Sequence, residues 1–133
     1  MLDKHLIAGD IDISSLINVR NLLSENINRT GSDIERAGLI QFFEMGYELS
    51  WKTLKKVLAQ HKGINETTPR DVFREAARAK LINDPEIWFD FIAKRNETAH
   101  TYNEAKAQIV IDKIDDFLIE LNKLIGKLDE LNA

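Results

Sequence analysis

The sequence contains no cysteine. That removes disulfides and thiolate metal sites, and it fits a reducing cytoplasm. Glycine and proline are sparse, with 6 and 2 copies, and they punctuate periodic segments rather than fill linkers. No apolar run approaches the roughly 20 residues of a membrane span. The opening Met1-Leu2-Asp3-Lys4-His5 lacks the charged-then-apolar layout of a signal peptide. The expected location is therefore cytoplasmic, and the Asn-x-Thr matches at Asn28, Asn65 and Asn96 are read as chance. Only three histidines occur, His5, His61 and His100, and no two stand at metal-ligand spacing. A zinc site of HExxH type is thus excluded. So are a Gly-rich phosphate loop and a G-x-S-x-G elbow. Most enzyme templates fail, and no metal or cofactor is implied.

What is present is an ordinary globular composition, 44% hydrophobic and 30% charged. A chain of 133 residues is read as one domain, residues 1–133. A domain of that size buries roughly two-thirds of its unfolded surface, enough for a core without covalent staples. The net charge of -4 argues against a general nucleic-acid coat protein. Its distribution is uneven. Residues 1–50 carry 4 basic and 8 acidic side chains, residues 51–80 carry 8 and 3, and residues 81–133 carry 6 and 11. A basic middle between acidic arms suits a local anion-binding face, or association by charge complementarity.

Apolar periodicity predicts five helices and no β-hairpin. The first runs from about Ile13 to Ile27, with Leu16, Val19, Leu23 and Ile27 on one face. Asn28-Arg29-Thr30-Gly31 breaks it. Ser32-Asp33-Ile34-Glu35 has the form of a capping box and opens a long helix to about Gln60. Ile40, Phe43, Tyr47, Trp51, Leu54 and Leu58 form one apolar stripe on that helix, and Phe42, Met45 and Leu49 a second. Two apolar sides place it centrally. Thr68-Pro69 starts a third helix that closes near Lys80, and Asp84-Pro85 starts a fourth over about 85–97. A break near His100 to Asn103 precedes the last helix, about Glu104 to Leu131, whose apolar residues repeat at heptad spacing. The expected fold is an all-α up-down bundle, a four-helix core with one short extra helix.

Chemistry concentrates around His100. Arg95 lies near the carboxyl end of the fourth predicted helix, with His100 and Tyr102 just beyond. Metal-free RNA cleavage needs little more, because the 2′-hydroxyl of RNA can attack the adjacent phosphate. A histidine moves the proton, and an arginine holds the phosphate and the charge that builds on it. The same spacing also fits a structural reading, in which Arg95 pairs with Glu97 or Asp90, His100 caps a helix and Tyr102 packs. Arg70, Arg74 and Arg78 share one face of the third helix by steps of four. They suit a phosphate, RNA or partner surface, or exposed pairs with Asp71 and Glu75 worth tenths of a kcal/mol. The aromatics Phe42, Phe43, Tyr47 and Trp51 are read as core before base-stacking platforms, and Trp88 and Phe89 as core or interface.

Arg95, four residues, His100, one residue, Tyr102 matches the R-x4-H-x-Y signature of the HEPN superfamily. The run Phe43-Glu44-Met45-Gly46-Tyr47-Glu48-Leu49-Ser50-Trp51-Lys52 resembles the F-E-x-x-Y-E-L-x-W-K stretch of its nucleotidyltransferase substrate-binding subfamily. Pro69 to Ala76, Leu81-Ile82, Trp88 and His100 to Asn103 resemble the same subfamily, in order, from about residue 33 to 104. The resemblance implies a helical homodimer whose paired motifs face a shared cleft. It implies a nearby-encoded minimal nucleotidyltransferase as partner, often in a toxin–antitoxin arrangement. In that setting Arg95 and His100 match the active-site residues of a metal-independent ribonuclease. Tyr102 matches the tyrosine that the partner modifies with AMP, and Asn96 matches a polar position after the arginine. The subfamily's older reading is a non-catalytic subunit that presents nucleotide or substrate to the nucleotidyltransferase.

Overall fold

The computed structural model describes residues 4–132. Its helices are α1 (Ser14–Asn26), α2 (Asp33–Lys62), α3 (Pro69–Arg78), α4 (Pro85–Glu97) and α5 (Glu104–Asp129). Short 3-10 turns cover Thr98–His100 and Glu130–Asn132. The starts lie where small polar residues can take up free amides. Ser32 accepts from the Glu35 amide at 3.1 Å, Thr68 from Asp71 at 3.3 Å, Asp84 from Glu86 at 2.9 Å, and Asn103 from Ala105 at 2.9 Å. α2 ends at Gly63, whose φ of 64° is the left-handed conformation that closes helices most cheaply with glycine.

α2 packs against α1, α3 and α5 and touches α4, while α5 packs against α1, α2 and α4. The arrangement is an all-α bundle in which the short α3 bridges α2 and α4. Its centre is aromatic. Phe117 of α5 meets Phe43 of α2 edge-on at 5.0 Å and Phe91 of α4 at 5.2 Å, and Trp88 stacks on Phe73 at 4.9 Å. All five rings are almost fully buried. Offset and edge-on pairs of this kind add about 0.5–1.5 kcal/mol each beyond area burial.

Two expectations need correction. The second buried side of α2 is not Phe42, Met45 and Leu49, since Met45 is 40% exposed and the other two are half-buried. It is Gly46, Ser50, Thr53 and Val57, also spaced by three and four. Small residues there let α2 approach its neighbours closely. A Cβ on Gly46 would stand 2.9 Å from the Phe117 ring and 3.3 Å from Val19. The Ser50 hydroxyl is satisfied within the helix, donating to the Gly46 carbonyl at 2.7 Å.

The second correction is a small antiparallel hairpin, β1 (Leu6–Ile7) and β2 (Ile11–Asp12), ahead of α1. Its turn uses positive φ at Ala8 (54°) and Gly9 (94°). Ile7, Ile11 and Ile13 face inward and are buried, the alternation a strand requires. The Asp12 carboxylate accepts from the Ser14 amide at 2.9 Å and the His5 amide at 3.2 Å, which hold it below the usual carboxylate range. The hairpin lies on the far end of α5. The Ala8 amide donates to the Leu131 carbonyl at 3.3 Å, and His5 Nε2 lies 2.5 Å from Asp129 Oδ1. No helix among the described residues is long and apolar enough to cross a membrane.

Candidate functional site

Arg95 occupies the last turn of α4, where a cation complements the carboxyl-end dipole. The guanidinium reaches sideways to α2. Its Nε lies 3.6 Å from Glu48 and its Nη2 3.8 Å from Glu44, contacts longer than hydrogen bonds. Nη1 donates to the Thr98 hydroxyl at 3.0 Å, and that hydroxyl donates to the Arg95 carbonyl at 2.6 Å. Arg95 Nε is buried without a hydrogen-bond partner. Glu48 is itself fixed from behind, its second oxygen accepting from Trp51 Nε1 at 3.0 Å. Burial, then Glu48, push the Tyr47 phenol up to about 12, while the nearby Arg95 charge pulls it the other way.

This environment corrects one part of the structural reading. Arg95 pairs with neither Asp90 nor Glu97. Asp90 is held by Lys113 at 2.7 Å and Lys94 at 2.9 Å, and Glu97 by Lys106 at 3.2 Å. The partners of Arg95, Glu44 and Glu48, come from another helix, and spacing along the chain gives no direct view of such contacts. The available signal lay in the α2 block itself. Glu44, Tyr47, Glu48 and Trp51 recur on one helical face, and that face is the wall behind Arg95.

Beyond Arg95 the chain makes one 3-10 turn. The buried Thr98 anchors it, with Thr101 Oγ1 donating to the Thr98 carbonyl at 3.2 Å. His100 is exposed, and Tyr102 is 87% exposed. Their rings approach edge-on, with centroids 6.3 Å apart. Asn96 is exposed one residue beyond Arg95. Arg95 lines a depression of about 440 Å³ with Gln41, Glu44, Met45, Glu48 and Leu49. Tyr102 lines a different one with the first two turns of α2. His100 and Tyr102 thus stand together, while Arg95 and Tyr102 line different depressions along α2.

The α3 arginines are partly engaged. Arg74 pairs with Asp71 at 2.7 Å and Arg78 with Glu75 at 2.5 Å, while Arg70 lies over the Phe89 ring at 4.2 Å. Of the aromatics, Phe43 and Tyr47 are core, and Phe42 and Trp51 are half-buried at its edge. Among the described residues, no three His, Cys, Asp or Glu side chains gather as a metal site.

Comparison with known proteins converges on one family. Residues 12–130 match the family described as nucleotidyltransferase substrate binding protein like. A Haemophilus influenzae protein named probable ribonuclease HepT is 43% identical over 100 residues, covering 72% of this chain and 68% of its own length. A solved Haemophilus influenzae structure, described as revealing the fold of a substrate binding domain of a nucleotidyltransferase, superposes with a TM-score of 0.80. It is 34% identical and covers 88% of this chain and 98% of that one. A crystal structure of a Thermus thermophilus protein gives the same TM-score at 28% identity, covering 85% and 98% of the two chains. Arg95, His100 and Tyr102 therefore stand within a matched framework, and the chain belongs to the HEPN-type family of nucleotidyltransferase substrate binding protein like proteins.

Proposed function

We propose that this protein is the HEPN component of a two-protein, toxin–antitoxin-like module, a metal-independent ribonuclease silenced by AMP transfer to Tyr102. The partner is a minimal nucleotidyltransferase encoded nearby, and the setting is cytoplasmic. The observation that carries the reading is the α4–α5 junction. It presents the His100 imidazole and the Tyr102 phenol to solvent side by side, one turn beyond an arginine anchored by its own helix. A relative named a probable ribonuclease supports it.

In the proposed cleavage, the 2′-oxygen of RNA attacks the neighbouring phosphorus and forms a cyclic phosphate, and the bond to the 5′-oxygen breaks. His100 takes the 2′-hydroxyl proton, and the departing 5′-oxygen takes its proton from solvent. Arg95 stabilises the charge on the non-bridging oxygens. In the silencing step, the Tyr102 phenol oxygen attacks the α-phosphorus of ATP, loses its proton to the partner enzyme, and pyrophosphate leaves. Asn96, exposed beside Arg95, contributes a nucleotide contact. Arg70, Arg74 and Arg78 contribute a surface for RNA or for the partner.

The homodimer belongs to the same proposal. Met45 and the half-buried Phe42 and Leu49 form an apolar strip beside Arg95, and a second copy covering it would bring two motifs to one cleft.

Incubating the purified protein with RNA tests the reading. Cleavage is expected, and it should fall at least ~100-fold in His100→Ala. Intact RNA after prolonged incubation, together with harmless expression in the absence of the partner, would overturn it. A second reading follows from the carboxylates around Arg95 and from the neighbour described as a substrate binding domain. Here the protein only presents a nucleotide to the nucleotidyltransferase. Nucleotide affinity lost in Arg95→Ala, with no turnover of RNA, would favour this reading over the first.

A further inference from the structure

A cavity of about 360 Å³ lies where α2 and α5 begin, and Tyr102 forms one of its walls. That volume is at the small end of ligand pockets. Its other contributors include Asp33, Arg36, Ala37, Ile40 and Glu104.

Arg36 is the informative member. Its Nη2 donates to Gln108 Oε1 at 2.9 Å, and Gln108 Nε2 donates in turn to Asp112 Oδ1 at 2.7 Å. The guanidinium is oriented by a neutral amide. Among the described residues it forms no ion pair, whereas Arg74, Arg78 and Arg95 all do. Its charge is therefore held by a neutral partner rather than a direct carboxylate contact, in the cavity that the exposed Tyr102 also lines. The capped starts of α2 and α5 both border the cavity. Ala37 and Ile40 supply an apolar patch, and the carboxylates of Asp33 and Glu104 stand as acceptors.

We propose that this cavity is a mononucleotide subsite, in which Arg36 holds the phosphate of the AMP unit carried by Tyr102. Ala37 and Ile40 face the base, and Asp33 or Glu104 accepts from the ribose hydroxyls. The proposal rests on the reading of Tyr102 as the AMP acceptor. One guanidinium between two carboxylates suits a single phosphate with its sugar. A strand of consecutive phosphates would be repelled by the same carboxylates.

The test is a titration of the full chain with free AMP, adenosine and a short oligouridylate, followed by NMR at the amides of 33–40 and 101–107. AMP should move these amides, adenosine should bind at least tenfold more weakly, and Arg36→Ala should weaken AMP about tenfold with Tm unchanged. Arg36→Gln serves as a second variant should the alanine form fail to fold. Unchanged AMP affinity in the folded variant, AMP shifts mapping elsewhere, or oligouridylate occupying these amides in place of AMP would each overturn the subsite. The mass of Tyr102 after incubation with the partner and ATP reads the acceptor role separately. An adduct with Arg36-independent AMP binding sinks the subsite alone, and no adduct with Arg36-dependent binding sinks the acceptor role alone.

Discussion

At the scale of single residues, the immediate surroundings of Arg95 govern what it can do. A guanidinium lying 3.6 and 3.8 Å from two carboxylates is steered without being locked. Glu48→Gln keeps the shape and the indole contact but removes one anion. If Arg95 acts on phosphate, cleavage should fall about tenfold through lost positioning. The pH profile should keep its shape, because His100 is untouched, and a profile shifted along the pH axis would contradict this assignment. Tyr47 offers an independent readout of this wall, its pKa raised first by burial and then by Glu48. Its phenol is held near about 12 rather than 10.0, so the folded state keeps its proton longer than the unfolded chain. The resulting stability is fully present below pH 10 and is lost as pH rises toward 12. Tyr47→Phe should remove that alkaline loss, which denaturant melts at pH 9 and 11 would detect. The closeness of His100 and Tyr102 was legible in the sequence because it is local. Glu44 and Glu48 were not assigned to Arg95, because periodicity describes one helix at a time and their role exists only between α2 and α4.

At the scale of elements, helix starts were legible because a cap is a contact over two or three residues. Ser32, Thr68, Asp84 and Asn103 all accept the amides their positions call for. Which side of α2 faces inward was only half legible. Hydrophobicity favoured Phe42, Met45 and Leu49, but close helix approach selects for small volume, and Gly46 and Ser50 won. Gly46→Ala should therefore cost about 1–3 kcal/mol by overpacking against Phe117, despite its higher helix propensity. A double-mutant cycle with Phe117→Leu should recover part of that loss. Between α4 and α5 an electrostatic tie adds to the buried Phe91–Phe117 contact. Lys113, then Lys94, hold the Asp90 carboxyl below 3.8, and Asp90 holds the Lys113 ammonium above 10.5. A depressed carboxylate stabilises above its ordinary pKa and loses that contribution as pH falls through the lowered value, so the Asp90 tie weakens below pH 3.8. Asp90→Asn should cost about 1 kcal/mol at neutral pH, since the pairs are partly solvated. It should also flatten the acid limb of a Tm-against-pH curve.

At the scale of the whole molecule, five amphipathic segments and their order gave the bundle. The terminal hairpin escaped, because two strands of two residues each are too short for alternation to register. The available cue was Ile11-Asp12-Ile13 after Ala8-Gly9. Association is the property least readable from one chain. If the strip at Phe42, Met45 and Leu49 is a contact between copies, Met45→Glu should shift the protein to monomer in light scattering. RNA cleavage should fall with it while the helical circular dichroism is unchanged. A dimer that survives the charge would move the contact to another face.

The hairpin also bears on how the chain folds. Each helix packs against the next along the chain, and α1 meets α5 only across most of the chain's length. The clasp of His5 on Asp129 joins residues 124 apart. Closing so long a loop yields little until the helices already hold both ends near each other. The clasp should thus form last on refolding and open first on unfolding. Its removal by Asp129→Ala would raise the unfolding rate and leave the refolding rate almost unchanged.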